Sequence, residues 1–317
     1  MKIITFEDIL NLNVPIEEYY NWTVEMIKNK NNSILPPKIS IKPYDGVFCN
    51  VMPSFIPNED GDVEGVKVVT RYPDRKPALE SKILLLNAQN GEFLALMDAD
   101  WITAMRTGAV AVHSIMLLAK SNYHVIGMMG LGNIARAVLY ILLELNPQKH
   151  FDIKLYRFQD DEILFAERFK DYDNVSFSFV DDYSSVVKGS DVVVSCVTYA
   201  PEDFCKDEDF DEGVLVVPVH TLGFTNCDLF IDKVFADDTG HVCHFRNLDK
   251  FKKFEEVSDV VNGKLPGREN DRERILAYNI GVSLHDINFA SHIYEKLKNN
   301  NDLCDVDMKG PTEKYWI

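Results

Sequence analysis

Residues 123–137, Tyr-His-Val-Ile-Gly-Met-Met-Gly-Leu-Gly-Asn-Ile-Ala-Arg-Ala, decide the fold of this chain. They begin with an apolar run at 125–129 that predicts a buried strand, and the apolar residues that follow recur at the spacing of a helix. Gly130, Gly132 and Ala135 lie between these two elements and form the pattern Gly-x-Gly-x-x-Ala. Such a pattern, placed after a strand and before a helix, is typical of dinucleotide-binding domains.

Each small residue of this fingerprint has a separate role in such a domain. The first glycine permits the tight turn, the second lets the backbone approach a pyrophosphate, and the alanine lets the helix pack closely on the sheet. The N–H groups and the positive dipole end at the start of the helix stabilise phosphate. We therefore predict that a nicotinamide or similar dinucleotide binds here; the alternative is a tight turn that binds no ligand.

The composition narrows the range of partners. The chain has 317 residues and a formal net charge of −17, which argues against nucleic acid or an anionic membrane surface as a partner. No uninterrupted apolar run reaches the roughly 18 residues of a membrane span, and no signal-like segment is expected at the N-terminus. The six cysteines include no Cys-x-x-Cys pair, which favours reduced thiols and a cytoplasmic location. His241, Cys243 and His244 follow no zinc spacing, so no metal site is predicted.

The rest of the chain predicts an α/β protein. Short β-like runs recur between residues 39 and 97, and Asn90-Gly91 predicts a hairpin between the last two. A long helix is predicted over 98–120. After the fingerprint, strands and helices alternate, which indicates a doubly wound parallel sheet with its ligand at the carboxyl ends of the strands. Beyond Arg272 an amphipathic pattern predicts a further helix.

Two cations in the first half of the chain are candidates for substrate binding. Arg106 lies in the predicted long helix beside Gly108, whose place in a helix interior indicates a close approach by another element. The planar guanidinium matches a carboxylate, although an arginine paired on the helix surface is an equal alternative. Lys67 lies in the run Gly-Val-Lys-Val-Val at 65–69, where a solvent-facing lysine is the more common arrangement.

Four motifs occur in a characteristic order around the fingerprint. They are residues 65–69 followed by Tyr72-Pro73, Gly-Glu-Phe-Leu-Ala-Leu-Met-Asp at 91–98, Ile-Thr-Ala-Met-Arg-Thr-Gly-Ala at 102–109, and Gly-Val-Ser-Leu-His-Asp at 281–286. With these motifs, the chain resembles the ornithine cyclodeaminase/mu-crystallin family of NAD(P)-dependent amino-acid and imino-acid oxidoreductases. The resemblance covers residues 33–295.

The resemblance implies a homodimer of two-domain subunits. Residues 116–282 would form a Rossmann domain that binds NAD or NADP. Residues 1–115 and 283–317 would form a mixed α+β domain, built from both chain ends, for substrate binding and dimerisation. The fold class expected from the family is therefore α/β, with a doubly wound parallel sheet and a second, mixed domain.

The resemblance also implies roles for individual residues. Lys67 and Arg106 would hold the carboxylate of a small amino or imino acid beside the nicotinamide and take part in catalysis. Thr107 and the fingerprint turn would hold the cofactor phosphates, and Thr198 would line the nicotinamide side. The turn residues concerned are Gly130, Gly132, Asn133 and Ile134. Apart from the resemblance, Asp286 lies on the last predicted helix, where it is expected to cap or pair near the active site, in a structural or a functional role.

Three positions depart from the family pattern. Lys38 stands where relatives have a carboxylate-binding arginine, and a lysine cannot form a bidentate contact. The region that carries an acidic base in cyclodeaminases is shorter here; Asp228 is the candidate base, against the alternative of a surface aspartate, and His220 is the second choice. Arg157 ends the second strand and suits the 2′-phosphate of NADP, although two acidic residues close behind would repel it.

Several activities occur within this family. We rank first an ornithine cyclodeaminase-like conversion of an amino acid into a cyclic imino acid, with release of ammonia. The alternatives are a ketimine reductase, an alanine or other amino-acid dehydrogenase, and a non-catalytic mu-crystallin-like protein that binds NADP(H). Cyclodeamination moves hydride to the cofactor and back, whereas reductases and dehydrogenases transfer it once.

Overall fold

The computed structural model of the chain describes residues 1–58, 61–198, 200, 202–220, 224, 229–245, 247–308, 310 and 313–314. The chain divides into two compact units. The first unit comprises Met1–Val14, Asn31–Thr103 and Ser283–Ile317, and the second comprises Pro15–Lys30 and Ala104–Val282. The described strands of each unit form one sheet.

The described residues form fourteen strands and nine α-helices, with strands and helices alternating mainly after residue 118. The strands are β1 (Lys2–Ile4), β2 (Ile39–Ile41), β3 (Phe48–Ile56), β4 (Val63–Arg71), β5 (Leu79–Asn87), β6 (Phe93–Asp98), β7 (Val125–Met129), β8 (Phe151–Tyr156), β9 (Val175–Val180), β10 (Val192–Ser195), β11 (Leu215–Pro218), β12 (Lys233–Ala236), β13 (Phe254–Glu256) and β14 (Ile275–Tyr278). The α-helices are α1 (Phe6–Asn11), α2 (Ile16–Asn29), α3 (Asp100–Leu118), α4 (Asn133–Leu145), α5 (Asp161–Arg168), α6 (Tyr183–Val187), α7 (Thr239–Val242), α8 (Val257–Val261) and α9 (Ser283–Leu297). Short 3-10 helices span Lys30–Asn32, Asp207–Asp209 and Leu248–Lys250.

The second unit contains the predicted doubly wound parallel sheet. Its strands lie in the order β13-β12-β14-β11-β10-β7-β8-β9, and the neighbouring strands are parallel. The chain runs from β7 outward to β8 and β9, and then returns to the other side of β7 as β10 and β11. Open α/β sheets bind ligands at this kind of reversal, outside the carboxyl ends of the strands. The Rossmann prediction is therefore confirmed.

The first unit contains a mixed sheet in the order β1-β6-β5-β4-β3-β2. The strands β2 to β6 pair antiparallel, and β1 pairs parallel with β6. The predicted hairpin joins β5 to β6: Gly91 has a φ of +73°, and its N–H donates to the Asn87 carbonyl at 2.8 Å. The helix α9 packs against β3, β4 and β5. It lies so close to β4 that a Cβ at Gly65 would be 2.6 Å from the Ile287 Cδ1 atom.

The two units do not follow the predicted domain boundaries at two places. The helix α2 falls within the predicted domain 1–115, yet it belongs to the second unit because it packs against α4 and α8. Residues 104–115 also belong to the second unit, because a Cβ at Gly108 of α3 would lie 2.8 Å from the Ala137 Cβ of α4. This is the close approach that Gly108 predicts. The helix α3 therefore begins in the first unit and continues into the second.

One predicted helix is partly a strand. The pattern beyond Arg272 predicts helix, but Ile275–Tyr278 form β14, which lies between β11 and β12, and the helix α9 begins only at Ser283. Four consecutive apolar residues are too few for periodicity to distinguish a buried strand from a buried helix. The prediction for this short segment was therefore wrong.

The helix α3 is long and apolar enough to cross a membrane by length and composition alone. Its best 18-residue window has a mean hydropathy of 1.3, and 72% of that window is buried inside the structure. A buried core helix has the same length and composition, so these values give only weak support for a membrane span. Asp100 and Arg106 interrupt its apolar run, which is why no such span was predicted.

Asp191 fixes the segment that leads into β7. Its Oδ2 accepts hydrogen bonds from the N–H groups of His124 and Val125 at 2.7 and 2.9 Å, and its Oδ1 lies 2.6 Å from the Lys120 Nζ. Burial alone would raise the pKa of this carboxyl, but Lys120 and the two N–H groups hold the pKa below its usual value. The ionised carboxylate therefore stabilises the folded state at neutral pH.

The substitution Asp191→Asn keeps an oxygen for the two N–H groups and removes the charge. We expect the free energy of unfolding at pH 7 to fall by about 1–2 kcal/mol, because the amide keeps the hydrogen bonds but loses the charge that strengthens them. A carboxyl with a lowered folded pKa contributes stability above its unfolded pKa of 3.8, and loses that contribution as the pH falls through the folded pKa. In urea unfolding experiments, the difference in free energy of unfolding between wild type and variant should become smaller below about pH 4. A difference that stays constant with pH would contradict the ionic role.

Candidate active site

The turn between β7 and α4 has the geometry that a dinucleotide pyrophosphate requires. Gly130 has a φ of +75°, and a Cβ at this residue would lie 2.5 Å from both the Cys196 carbonyl carbon and the Val197 nitrogen. Only glycine permits this turn together with so close an approach of the loop after β10. A Cβ at Gly132, by contrast, would meet no described atom within 4 Å. The turn is closely packed at its first glycine and open at its second.

The open side of this turn is the start of α4. Gly132 is the N-cap of the helix and, as a glycine, provides no side chain to satisfy the first N–H groups. Asn133 is exposed, whereas Ala135 is fully buried. The first N–H groups of a helix are suitable donors to phosphate. The residues present therefore fit the predicted dinucleotide.

Two further residues assigned to the cofactor lie in the same unit. Thr107 is a buried residue of α3, one position before the glycine that packs on α4. Thr198 is exposed and lies three residues beyond the end of β10. The position of Thr198 near the carboxyl end of β10 agrees with the place expected for ligand-binding residues in an open α/β sheet. The contacts of both residues with a cofactor stay predictions.

Arg157 lies directly after β8. Its N–H donates to the Val180 carbonyl at the end of β9, at 2.9 Å. Its NH1 atom lies 3.1 Å from the Asp181 Oδ1, and both side chains are exposed. Arg157 therefore has a neighbouring carboxylate that partly offsets its charge, in addition to the two acidic residues noted in the sequence.

Arg106 is buried, at 6% exposure, and its guanidinium lies against Gly281. A Cβ at Gly281 would be 2.8 Å from the Arg106 NH1 atom and 3.3 Å from NH2. Gly281 has a φ of +83°, and its N–H donates to the Asp237 Oδ2 at 2.8 Å. The alternative of an arginine on the helix surface is therefore wrong. A buried guanidinium at this end of the sheet suits a small anionic substrate.

Lys67 and Asp286 form a buried ion pair in the first unit. The Lys67 Nζ lies 2.7 Å from the Asp286 Oδ1, and the side chains are 1% and 0% exposed. Lys67 lies on β4 between Met52 of β3 and Ile83 of β5. The expectation of a solvent-facing lysine is wrong, because α9 places a carboxylate beside the ammonium and so compensates its burial. Asp286 has the pairing role that the sequence left open.

His220 follows β11 and is bonded to the end of β10. Its Nε2 lies 2.6 Å from the Ser195 Oγ, and its ring centre is 6.2 and 6.3 Å from those of Phe204 and Phe224. Burial lowers the pKa of His220 to about 4, so its imidazole is uncharged at neutral pH. An uncharged imidazole can accept or donate a hydrogen bond but is a poor acid. Asp228, the first choice for the base, lies outside the described residues.

The remaining sequence candidates are Lys38 and the cluster around His241. Lys38 directly precedes β2 and is partly buried. His241 directs its Nδ1 to the Asp238 Oδ2 at 2.7 Å. Within the described ranges, no group of three or more His, Cys, Asp or Glu side chains is arranged to hold a metal ion.

The structure thus collects the predicted residues into two groups. The second unit contains the fingerprint turn, Arg106 and Arg157, and the first contains Lys67. Sequence reasoning missed Ser195 and Asp237, whose partners are distant along the chain. One signal was present for both: each lies at the carboxyl end of a strand in the parallel sheet, where ligand-binding residues gather.

Comparisons with known proteins agree with this geometry. The family described as the ornithine cyclodeaminase/mu-crystallin family matches residues 12–301. The nodulation efficiency protein NfeD of Rhizobium meliloti is 25% identical over 303 residues, which cover 91% of this chain and 93% of that protein. The Delta(1)-pyrroline-2-carboxylate reductase of Bacillus cereus is 25% identical over 267 residues, which cover 78% of this chain and 80% of that protein.

A solved structure shows the same fold over nearly the whole chain. The Delta(1)-pyrroline-2-carboxylate reductase of Thermococcus litoralis, solved in complex with NADH and L-proline, has a TM-score of 0.86 and 24% identity. The match covers 96% of this chain and all of that one. The family match extends over both units and includes the fingerprint, Lys67 and Arg106. The chain belongs to the ornithine cyclodeaminase/mu-crystallin family.

Proposed function

We propose that this protein transfers hydride between NAD(H) or NADP(H) and the Cα–N bond of a small amino acid or cyclic imino acid. The observation that carries the proposal is the open turn at Gly132, because it leaves the start of α4 accessible to a pyrophosphate. Arg106, in the same unit, supplies the cation that a substrate carboxylate requires. Family membership supports both assignments.

Reduction of a cyclic imino acid is the reaction that we favour. The relatives from Bacillus cereus and Thermococcus litoralis are both named pyrroline-2-carboxylate reductases. Cyclodeamination, ranked first from the sequence, is kept as an alternative outcome of the experiment below. Its candidate base, Asp228, lies outside the described residues.

The chain's residues would bind and orient the substrate, while bound NAD(P)H supplies the hydride. Arg106 would hold the carboxylate through two parallel hydrogen bonds, which are stronger where water is excluded. His220, uncharged and bonded to Ser195, would act as a hydrogen-bond partner rather than as an acid. The other assigned residues keep their predicted roles: Lys38, Lys67, Thr107, Arg157, Thr198 and Asp228.

A turnover panel tests the proposed function. NADH and NADPH are each mixed with Δ1-pyrroline-2-carboxylate, and NAD+ and NADP+ with proline, alanine, ornithine and lysine, while reduced cofactor and ammonia are measured. Loss of reduced cofactor with the imino acid would support the proposal. Ammonia from ornithine without net reduced cofactor would instead identify a cyclodeaminase, and reduced cofactor accumulating with alanine would identify a dehydrogenase. Tight cofactor binding without turnover would indicate a binding protein.

The open space at Gly132 gives a separate prediction for cofactor binding. Gly132 has φ −79° and ψ −163°, and a Cβ there meets no described atom within 4 Å, so Gly132→Ala should leave the free energy of unfolding within about 1 kcal/mol of wild type. The added methyl would occupy the approach of the pyrophosphate, so we expect the dissociation constant for NADH to rise at least about tenfold, or about 1.4 kcal/mol. Quenching of protein fluorescence by NADH measures this dissociation constant. Unchanged affinity in a stable variant would remove the turn from the cofactor site.

The Arg157–Asp181 pair gives a prediction for the choice between NADH and NADPH. Asp181→Asn removes a carboxylate that pairs with Arg157 and would repel a 2′-phosphate, so the affinity for NADPH relative to NADH should rise. An exposed pair of this kind is worth up to about 1 kcal/mol, or about fivefold. The matched control is Asp152→Asn, an exposed acid at the other end of β8. Equal affinity ratios in both variants would show that Arg157 does not contact the ribose.

We further propose that the protein is a homodimer through the face of the first-unit sheet opposite α9. Val68, Phe93 and Leu96 are 37%, 50% and 37% exposed on this face, and they line one depression with Val66 and Leu84. An apolar patch of this kind usually marks a protein interface. Light scattering should give a mass of about twice 36.2 kDa; the monomer mass would contradict the proposal. A cytoplasmic location stays a prediction from cysteine usage.

A further inference from the structure

The place of the Arg106 guanidinium depends on the backbone at Gly281. The NH1, NH2 and Cζ atoms of Arg106 lie 2.8, 3.3 and 3.5 Å from the point that a Cβ at Gly281 would occupy. A side chain there would push the guanidinium aside, and a shift of the backbone would change the surface on which it lies. The residues that hold this backbone therefore also define one wall against which the Arg106 guanidinium lies.

Asp237 is one of those residues. It directly follows β12, and its Oδ2 accepts the N–H of Gly281 at 2.8 Å, while its own N–H donates to the Tyr278 carbonyl at 3.2 Å. These two bonds tie the segment after β14 to the end of the neighbouring strand. The side chain of Asp237 is buried, and its Oδ1 has no hydrogen-bond partner among the described residues. The bond to Gly281 is thus the hydrogen bond that the structure shows for this carboxylate.

A second contact ties the same segment to the helix that carries Arg106. The Oγ of Ser114 on α3 donates to the Asn279 Oδ1 at 3.0 Å, and the Asn279 N–H donates to the Pro218 carbonyl at 3.0 Å. Ser114 lies about two helical turns beyond Arg106. Residues 279–281 are therefore held at one end by α3 and β11 and at the other end by Asp237.

The charge of Asp237 strengthens its hydrogen bond. Burial raises the pKa of this carboxyl to about 6, and the neighbouring Asp238 also raises it, while the N–H of Gly281 and the charges of His241 and Lys30 lower it. Because a pKa of about 6 still lies below neutral pH, the carboxyl is mostly ionised at pH 7. A backbone N–H donated to an ionised carboxylate forms a shorter and stronger bond than one donated to a neutral acceptor.

We infer that Asp237 is a positioning residue for Arg106, and that it acts through the N–H of Gly281 to hold the guanidinium where it can bind a substrate carboxylate. The carboxylate-binding part of this inference rests on the proposed function. The placement of the guanidinium by the segment 279–281 is independent of the proposed function. Asp237 is therefore assigned a role through Gly281 and Arg106, and no contact of its own with cofactor or substrate.

Steady-state kinetics of two Asp237 variants test the inference, with Δ1-pyrroline-2-carboxylate and NADH as the probes. Asp237→Ala removes the acceptor, so the KM for the imino acid should rise at least tenfold while the KM for NADH stays within twofold of wild type. Asp237→Asn keeps an oxygen for the Gly281 N–H and should restore the imino-acid KM to within threefold. A merely structural role would lower the amount of active protein without separating these two constants.

A pair of glycine variants tests the same contact without touching Asp237. Gly281→Ala places a methyl group 2.8 Å from the Arg106 NH1 atom, and the long arginine side chain can yield, so the protein should fold with a raised imino-acid KM. The matched control is Gly263→Ala, which has a similar φ of +69° but no described atom within 4 Å of its Cβ. It carries the same backbone strain and should leave both KM values unchanged. An equal rise in the two alanine variants would overturn the inference.

Crystal structures separate a failure of this inference from a failure of the proposed function. If the wild type turns over no amino or imino acid, the proposed function fails, but the position of the Arg106 guanidinium in Asp237→Ala still decides the inference. If the Arg106 guanidinium moves away from Gly281 in Asp237→Ala but keeps its place in Asp237→Asn, the inference is supported. An Arg106 that keeps its place in Asp237→Ala would overturn the inference even in an active enzyme.

Discussion

The backbone contact between Gly130 and the loop after β10 is the constraint on which the site depends. Because Gly130 has no Cβ, the residues that follow β10 can lie directly against the turn that follows β7. The carboxyl ends of β7 and β10 are then brought together at the reversal of strand order, and α4 begins at Gly132 without a side-chain cap. A substituent on Gly130 would separate these ends. The accessible start of α4 is therefore a consequence of this one packed contact.

The charge distribution explains why such a site requires local cations. The chain carries a formal net charge of −17, so its average field repels anionic cofactors and carboxylate substrates. Against that field, the dipole of α4 and the buried guanidinium of Arg106 act at short range, where salt screens little. Under the proposed function, binding of anions would therefore depend on these oriented groups rather than on the protein's overall charge.

The local sequence was sufficient to predict the fingerprint turn, but it could not predict the contacts that surround this turn. The strand, the turn and the helix at 125–145 are contiguous, and each small residue has a steric reason that can be recognised from its neighbours. The burial of Lys67 could not be recognised, because its partner Asp286 is 219 residues away. The same is true of Gly281 and Asp237, which are 44 residues apart. The predicted domain boundary differs from the observed units at α2 for a related reason, since only packing against α4 and α8 assigns that helix to the second unit.

The placement of α9 has a consequence for the way the chain is synthesised. This helix covers β3, β4 and β5, yet it begins at Ser283, long after β6 has ended at Asp98. At a ribosomal rate of about 5–20 residues per second, synthesis of the residues between β6 and the end of α9 takes on the order of 10–40 seconds. During that time the face of the sheet that α9 covers has no helix packed against it. Most of the second unit is contiguous and can fold during that interval. A nascent chain therefore presents an uncovered apolar sheet to chaperones until α9 emerges.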